Sequence, residues 1–188
     1  LIVSSGLDKP YVPQNWQCPA LDSDTWEYIV PTVNPPAGWN EPGFNSLGWS
    51  IGPGGFGYGD GDDATVLEQA DVIFIRKTFS VEDPLDWGYM SLAVDYDDGY
   101  IAYLNGIEMA RSSSMAGVIG NYNDFTNTYV EANLYQGLEP EQRLWDESEF
   151  NNWLVPGENV IAIQVHNDNS ESSDLTIRPF LGLTRKDG

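Results

Sequence analysis

The chain is 188 residues long, enough for one domain with a core that hides roughly 70% of the unfolded surface without disulfides. Its 29 acidic residues stand against 8 basic ones, a formal charge of −21 that repels phosphate backbones and anionic membranes and so argues against nucleic acid as a partner. Cys18 is the single cysteine and His166 the single histidine, which excludes an internal disulfide and makes a poor zinc set.

Residues 1–25 mix Pro, Asp and Trp and read as a lead-in segment with one edge strand. Its opening, LIVSSG, has neither the basic n-region nor the cleavage site of a signal peptide, and the chain reads as a piece of a larger protein. WEYIVPTV (26–33) is a candidate first strand. The stretch from Asn34 to Thr65 is dense in Gly and Pro, cannot build a helix, and suits tight turns.

From Val72 the pattern becomes β. VIFIRKTFSV is rich in β-branched and aromatic residues and ends at the turn signal EDPLDWG. In YMSLAVDYDD, Met90, Leu92 and Val94 alternate as one buried face. GYIAYLNGIEMAR predicts a hairpin about a type I′ turn at Asn105-Gly106. Residues 112–153 are an irregular polar insertion, with a short helix expected in EPEQRLWDESEFNNWL. VPGENVIAIQVHN and SSDLTIRPFLGL supply two closing strands, the first largely buried through Val160, Ile161, Ile163 and Val165. Seven or eight short strands without a dividing linker predict an all-β sandwich over 1–188, with its core in 26–188. No run approaches the ~18–20 apolar residues of a membrane span.

The segments WNEPGFNSLGW, GFGYGDGDDAT, IRKTFSV, VDYDDGYIAYLNGIEMAR and NVIAIQVHNDNSESSDLTIRPFL, in that order from Trp39 to Leu181, resemble a galactose-binding-like domain. DYDDGYIAYLNG is the most specific of them. The resemblance implies a jelly roll, often with a structural calcium, of the kind found in bacterial secreted and surface multidomain proteins and beside carbohydrate-active enzymes. It does not imply one ligand, because the fold carries sugar binders, spacers and protein-binding modules alike.

Two acidic clusters stand out. Asp60, Asp62 and Asp63 lie in a glycine-flanked turn, and calcium takes six to eight oxygens from such carboxylates and carbonyls, with Asp71 as a further ligand. The plainer reading is an Asp-rich surface turn that caps its own backbone. In the second cluster, Asp95 and Asp97 point to one face of a strand and Asp98-Gly99 turns the chain. Either Asp98 caps this bend, or Asp97 and Asp98 accept hydrogen bonds from sugar hydroxyls. A glycosidase pair needs two carboxyls at a set separation across a cleft, and no glycosidase motif accompanies these aspartates.

His166 and Asn167 end a buried strand, where binding loops gather; a lone histidine is also an ordinary structural hydrogen-bonding residue. No SxxK or GK[ST] motif is present. Arg76 and Arg111 either pair with aspartates or face a ligand. Tyr58, Trp87, Tyr96 and Tyr100 are the stacking candidates, while Trp39 and Trp49 read as scaffold. The expectation is a non-catalytic carbohydrate-binding module of a secreted or cell-surface protein, binding an oligo- or polysaccharide beside other domains of its parent, with calcium stiffening the Gly-rich loop. A spacer that binds no sugar and, third, a polysaccharide hydrolase are the alternatives.

Overall fold

The structure, a computed structural model, describes residues 16–186. It is a sandwich of two sheets built from twelve strands: β1 (Trp16–Ala20), β2 (Thr25–Ile29), β3 (Ser50–Pro53), β4 (Phe56–Tyr58), β5 (Thr65–Val66), β6 (Val72–Val81), β7 (Trp87–Asp97), β8 (Gly99–Leu104), β9 (Ile107–Arg111), β10 (Glu141–Asp146), β11 (Gly157–His166) and β12 (Leu175–Arg185). One sheet runs β3-β2-β6-β11-β8-β9. The other runs β10-β7-β12, with β4 and β1 both on the free edge of β12 and β5 parallel outside β4. The chain changes sheet from β6 to β7, β7 to β8, β9 to β10, and again from β10 to β11 and β11 to β12, which are the crossing connections of a jelly roll. No helix among the described residues is long and apolar enough to cross a membrane.

Alternation decides the core. Ile73 and Ile75 of β6, Met90, Leu92, Val94 and Tyr96 of β7, Tyr100, Ala102 and Leu104 of β8, Ile161, Ile163 and Val165 of β11, and Leu175, Ile177, Leu181 and Leu183 of β12 point between the sheets. Each buried Ile, Leu, Val or Met among them stabilises the fold by about 1.5–3 kcal/mol relative to exposure. The hairpin between β8 and β9 turns at Asn105 (φ 52°) and Gly106 (φ 83°) as the Asn-Gly pair requires. Asn105 also accepts from the Val160 N–H (2.8 Å) and donates to Asn159 (2.7 Å), tying the turn to β11.

The outer face of the β6–β11–β8 sheet is covered. Trp39, from the Gly- and Pro-rich stretch, packs edge-on to Phe74 (4.8 Å) and Tyr103 (5.7 Å) and stacks on Trp49 (6.2 Å), the scaffold role expected of both tryptophans.

Several boundaries differ from expectation. The first core strand closes at Ile29, ahead of Pro31, and the lead-in strand is β1; residues 1–15 of that segment lie outside the described residues. The Gly-rich stretch holds the short strands β3, β4 and the start of β5. Within 141–153, Glu141–Asp146 is a strand at the edge of its sheet, and the expected helix is the single turn Glu147–Phe150 behind an Asp146–Glu149 capping box. An edge strand needs only one partner's backbone and tolerates charge, so its sequence reads as polar loop.

Candidate functional site

The chemistry-bearing residues gather on the outer face of the second sheet, at the end where β7 finishes. Asp95 and Asp97 share that face, with Thr176 opposite Asp97 and Arg178 opposite Asp95 on β12. The connection after β9 folds over them. Asp95 accepts from the N–H groups of Asn133 (2.6 Å) and Leu134 (3.2 Å), and Asp98 from those of Val130 (2.8 Å) and Asp168 (2.8 Å). Both aspartates therefore anchor loops, and Asp98 has a capping role that reaches beyond its own bend. Burial raises the Asp98 carboxyl to about 6, against the lowering effect of its two N–H donors.

Asp97 is placed differently. It is 2% exposed, its Oδ1 has no hydrogen-bond partner, and it faces Glu131 and Asp174, one oxygen of each of the three carboxylates lying within 4.8 Å of the others. Burial first, then the charges of Asp98, Asp174 and Glu131, push its carboxyl up to about 9. Glu131 receives the hydroxyl proton of Tyr129 in a hydrogen bond.

Asp60, Asp62 and Asp63 form the second carboxylate group within the same span, in the turn after β4 where Gly59 (φ 104°) and Gly61 (φ 83°) adopt left-handed backbone. Thr176 Oγ1 donates to Asp60 (3.1 Å), and Arg178 bridges Asp62 (3.4 Å) and Asp22 (3.0 Å). A Cβ at Gly57 would collide with Asp63 Oδ1 and the Leu175 carbonyl, so glycine there lets the turn lie on β4. Burial, followed by Asp60 and Asp62, raises the Asp63 carboxyl to about 7. Asp71 joins neither group; its carbonyl accepts from the Asn167 N–H (2.9 Å).

The Tyr135 hydroxyl is pushed up by partial desolvation and then by Glu131, Asp174, Asp97 and Asp60. Tyr135 (48% exposed) and Tyr129 (58%) present open rings beside this acidic face.

The other sequence candidates are buried or engaged. Tyr58 accepts from Asn167 Nδ2 (2.9 Å) and donates to the Ala70 carbonyl (3.3 Å), inside the sandwich. Tyr96 and Tyr100 sit edge-to-face at 4.8 Å in the core, and both hydroxyls donate to Glu141 (2.7 and 3.3 Å). Trp87 is buried beneath the Arg185 guanidinium (5.2 Å), on the wall of a cavity of about 350 Å³ next to β1. The alternation that put these rings in strands also turned them inward.

Arg76 and Arg111 pair with glutamates in place of the expected aspartates. Arg76 is buried under the 34–49 stretch, donating to Glu27 (2.6 Å) and the Glu41 carbonyl (3.2 Å) with Phe44 against its guanidinium (5.4 Å). Arg111 grips Glu108 through Nε and Nη2 (2.6 and 2.8 Å) and the Met115 and Val118 carbonyls through Nη1 (2.8 Å each). His166 is fully buried, with Nδ1 against the Asp124 carbonyl (2.8 Å), so Nδ1 carries the proton and Nε2 is bare; burial holds its pKa below the usual value. Glu131, Asp174, Tyr129 and Tyr135 were not singled out from sequence. They lie in irregular segments without a motif, and only the fold brings them to Asp97.

The chain matches no protein-family model and no curated protein. Solved structures share its fold. A β-glucuronidase from an uncultured Clostridium sp. has a TM-score of 0.55 at 14% identity, over 96% of this chain and 31% of that one. A calcium-binding mutant of β-glucuronidase 2 from Bacteroides uniformis has a TM-score of 0.54 at 10% identity, over 91% of this chain and 18% of that one. A glycosyl hydrolase family 2 member from Bacteroides cellulosilyticus has a TM-score of 0.55 at 12% identity, over 90% and 21%. The chain spans less than a third of the length of each, and the likeness is one of fold.

Proposed function

We propose that this β-sandwich is a non-catalytic carbohydrate-binding module of an extracellular or cell-surface multidomain protein, with calcium stiffening its Asp60–Asp63 loop. The observation that carries this reading is the pair of open rings, Tyr129 and Tyr135, beside a row of carboxylates: a flat apolar surface for a sugar face and acceptors for its hydroxyls. The fold is consistent with it, since the similar solved structures are glycoside hydrolases in which this sandwich accounts for a minor part of the chain. A β-glucuronidase named as a calcium-binding mutant is among them. An all-oxygen loop of this kind suits the millimolar calcium found outside cells.

The carboxylates favour binding over hydrolysis. Asp95 and Asp98 are occupied by backbone N–H groups, and the oxygens of Asp97, Glu131 and Asp174 crowd within 4.8 Å. A retaining pair stands about 5–5.5 Å apart and an inverting pair about 6.5–9.5 Å, both wider than this group. A spacer that binds no sugar is the second reading, favoured by the burial of Tyr58, Trp87, Tyr96 and Tyr100. Glycan-array binding of the chain, with calcium and with EDTA, separates the two. Binding to at least one glycan supports the module, silence across the array supports the spacer, and release of reducing sugar would establish a hydrolase.

A further inference from the structure

We infer that Asp97, Glu131 and Asp174 form a second divalent-cation site, selective for calcium, distinct from the Asp60–Asp63 turn. It goes beyond the sugar reading and does not depend on it.

The three residues come from separate parts of the chain. Asp97 ends β7, Glu131 lies in the connection between β9 and β10, and Asp174 immediately precedes β12. Their oxygens fit within 4.8 Å, which is the span of opposed ligands about an ion whose metal–oxygen bonds are about 2.3–2.6 Å. Acidic side chains crowd together on many surfaces, and what sets this group apart is Asp97. It is buried, and its enclosed Oδ1 lacks any donor. A buried carboxylate oxygen left unpaired is costly.

The surrounding donors are committed elsewhere. The loop N–H groups of Val130, Asn133 and Leu134 go to Asp98 and Asp95, on either side of Asp97 in sequence. Arg178 goes to Asp22 and Asp62. Asp97 is thus the unsatisfied member of a strand end whose other aspartates are fully used, and it points at two further carboxylates.

A divalent ion satisfies all three at once. With no nitrogen or sulfur in the group, the donors are hard, which selects calcium or magnesium over zinc and copper. Three ligands on three separate segments do not impose a rigid octahedron, and calcium accepts such irregular shells where magnesium does not. Glu131 and Asp174 are only half-buried, which leaves an approach from solvent. The bound ion would clamp the loop carrying Tyr129 and Tyr135 to the end of β7 and to the segment before β12.

Isothermal titration of the full chain with calcium chloride, after treatment with EDTA and its removal, tests the site. Wild type should bind one more calcium than Asp97→Asn, Glu131→Gln or Asp174→Asn, or bind it at least about tenfold more tightly, because ligand charge sets calcium affinity. Asp62→Asn, in the other cluster, should keep this site. Glu131→Gln sits on a half-buried loop and guards against an Asp97 variant that fails to fold; circular dichroism confirms folding in each case. Wild-type stoichiometry and affinity in folded Glu131→Gln and Asp174→Asn would overturn the inference, as would a wild-type chain that binds no calcium. An equivalent lost only in Asp62→Asn would also overturn it while leaving the calcium loop of the proposed function intact.

Discussion

The side-chain amide of Asn167 donates a 2.9 Å hydrogen bond to the hydroxyl of Tyr58, joining the loop after β11 to the short strand β4 inside the sandwich. Both residues sit where the sequence pointed to ligand contacts, and both serve the fold. Tyr58→Phe should destabilise the protein by about 1–2 kcal/mol, because the buried Asn167 amide loses an acceptor, while the Ala70 carbonyl keeps its bond from Asn167 (2.9 Å). Urea unfolding measures this, and sugar binding should be unaffected. A variant of unchanged stability would show that the pair is not structural.

Arg76 makes a comparable case on the opposite sheet. Arg76→Met strips Glu27 and the Glu41 carbonyl of their donor and should cost about 2–3 kcal/mol by urea unfolding. Arg76→Lys should recover less than half of that, since one ammonium cannot reproduce the two-armed geometry of the guanidinium. Full recovery by lysine would reduce the site to simple charge pairing.

His166 gives a pH dependence of defined sign. Its folded pKa lies below the ordinary value because burial disfavours the imidazolium. Below about pH 6.5 the unfolded chain therefore takes up a proton that the folded chain resists, and stability falls as the solution is acidified. The stability advantage of wild type over His166→Gln should be complete above about pH 6.5 and shrink below it by up to about 1.4 kcal/mol per pH unit. Denaturant unfolding between pH 5 and 8 reads the gap, and a gap that widens in acid would contradict the burial of a neutral imidazole.

The strands with simple alternation were legible in the sequence. Val72–Val81 ends where its apolar run and turn signal said it would, Met90, Leu92 and Val94 share a buried face, and Asn105-Gly106 makes the tight turn. The strand Glu141–Asp146 was not legible, because an edge strand carries its partner's register in its backbone and leaves its side chains polar. The covering of the outer face by the 34–49 and 112–126 segments was also invisible. That cover buries Phe74, Arg76, Gln164 and His166, which alternation alone would place in solvent. The carboxylates show the same limit. Asp97 and Asp98 drew notice as neighbours in sequence, yet they have opposite surroundings, and Glu131 and Asp174 reach Asp97 only through the sandwich topology.

Affinity gel electrophoresis of wild type and a Tyr129→Ala/Tyr135→Ala double variant, on gels containing neutral or uronic-acid polysaccharides, tests the binding face directly. With a net charge of −21 and carboxylates lining that face, at least one neutral polysaccharide should retard wild type more than any uronate does. The double variant should migrate as if no polysaccharide were present. Equal retardation of both proteins, or none of wild type on any gel, would contradict the account.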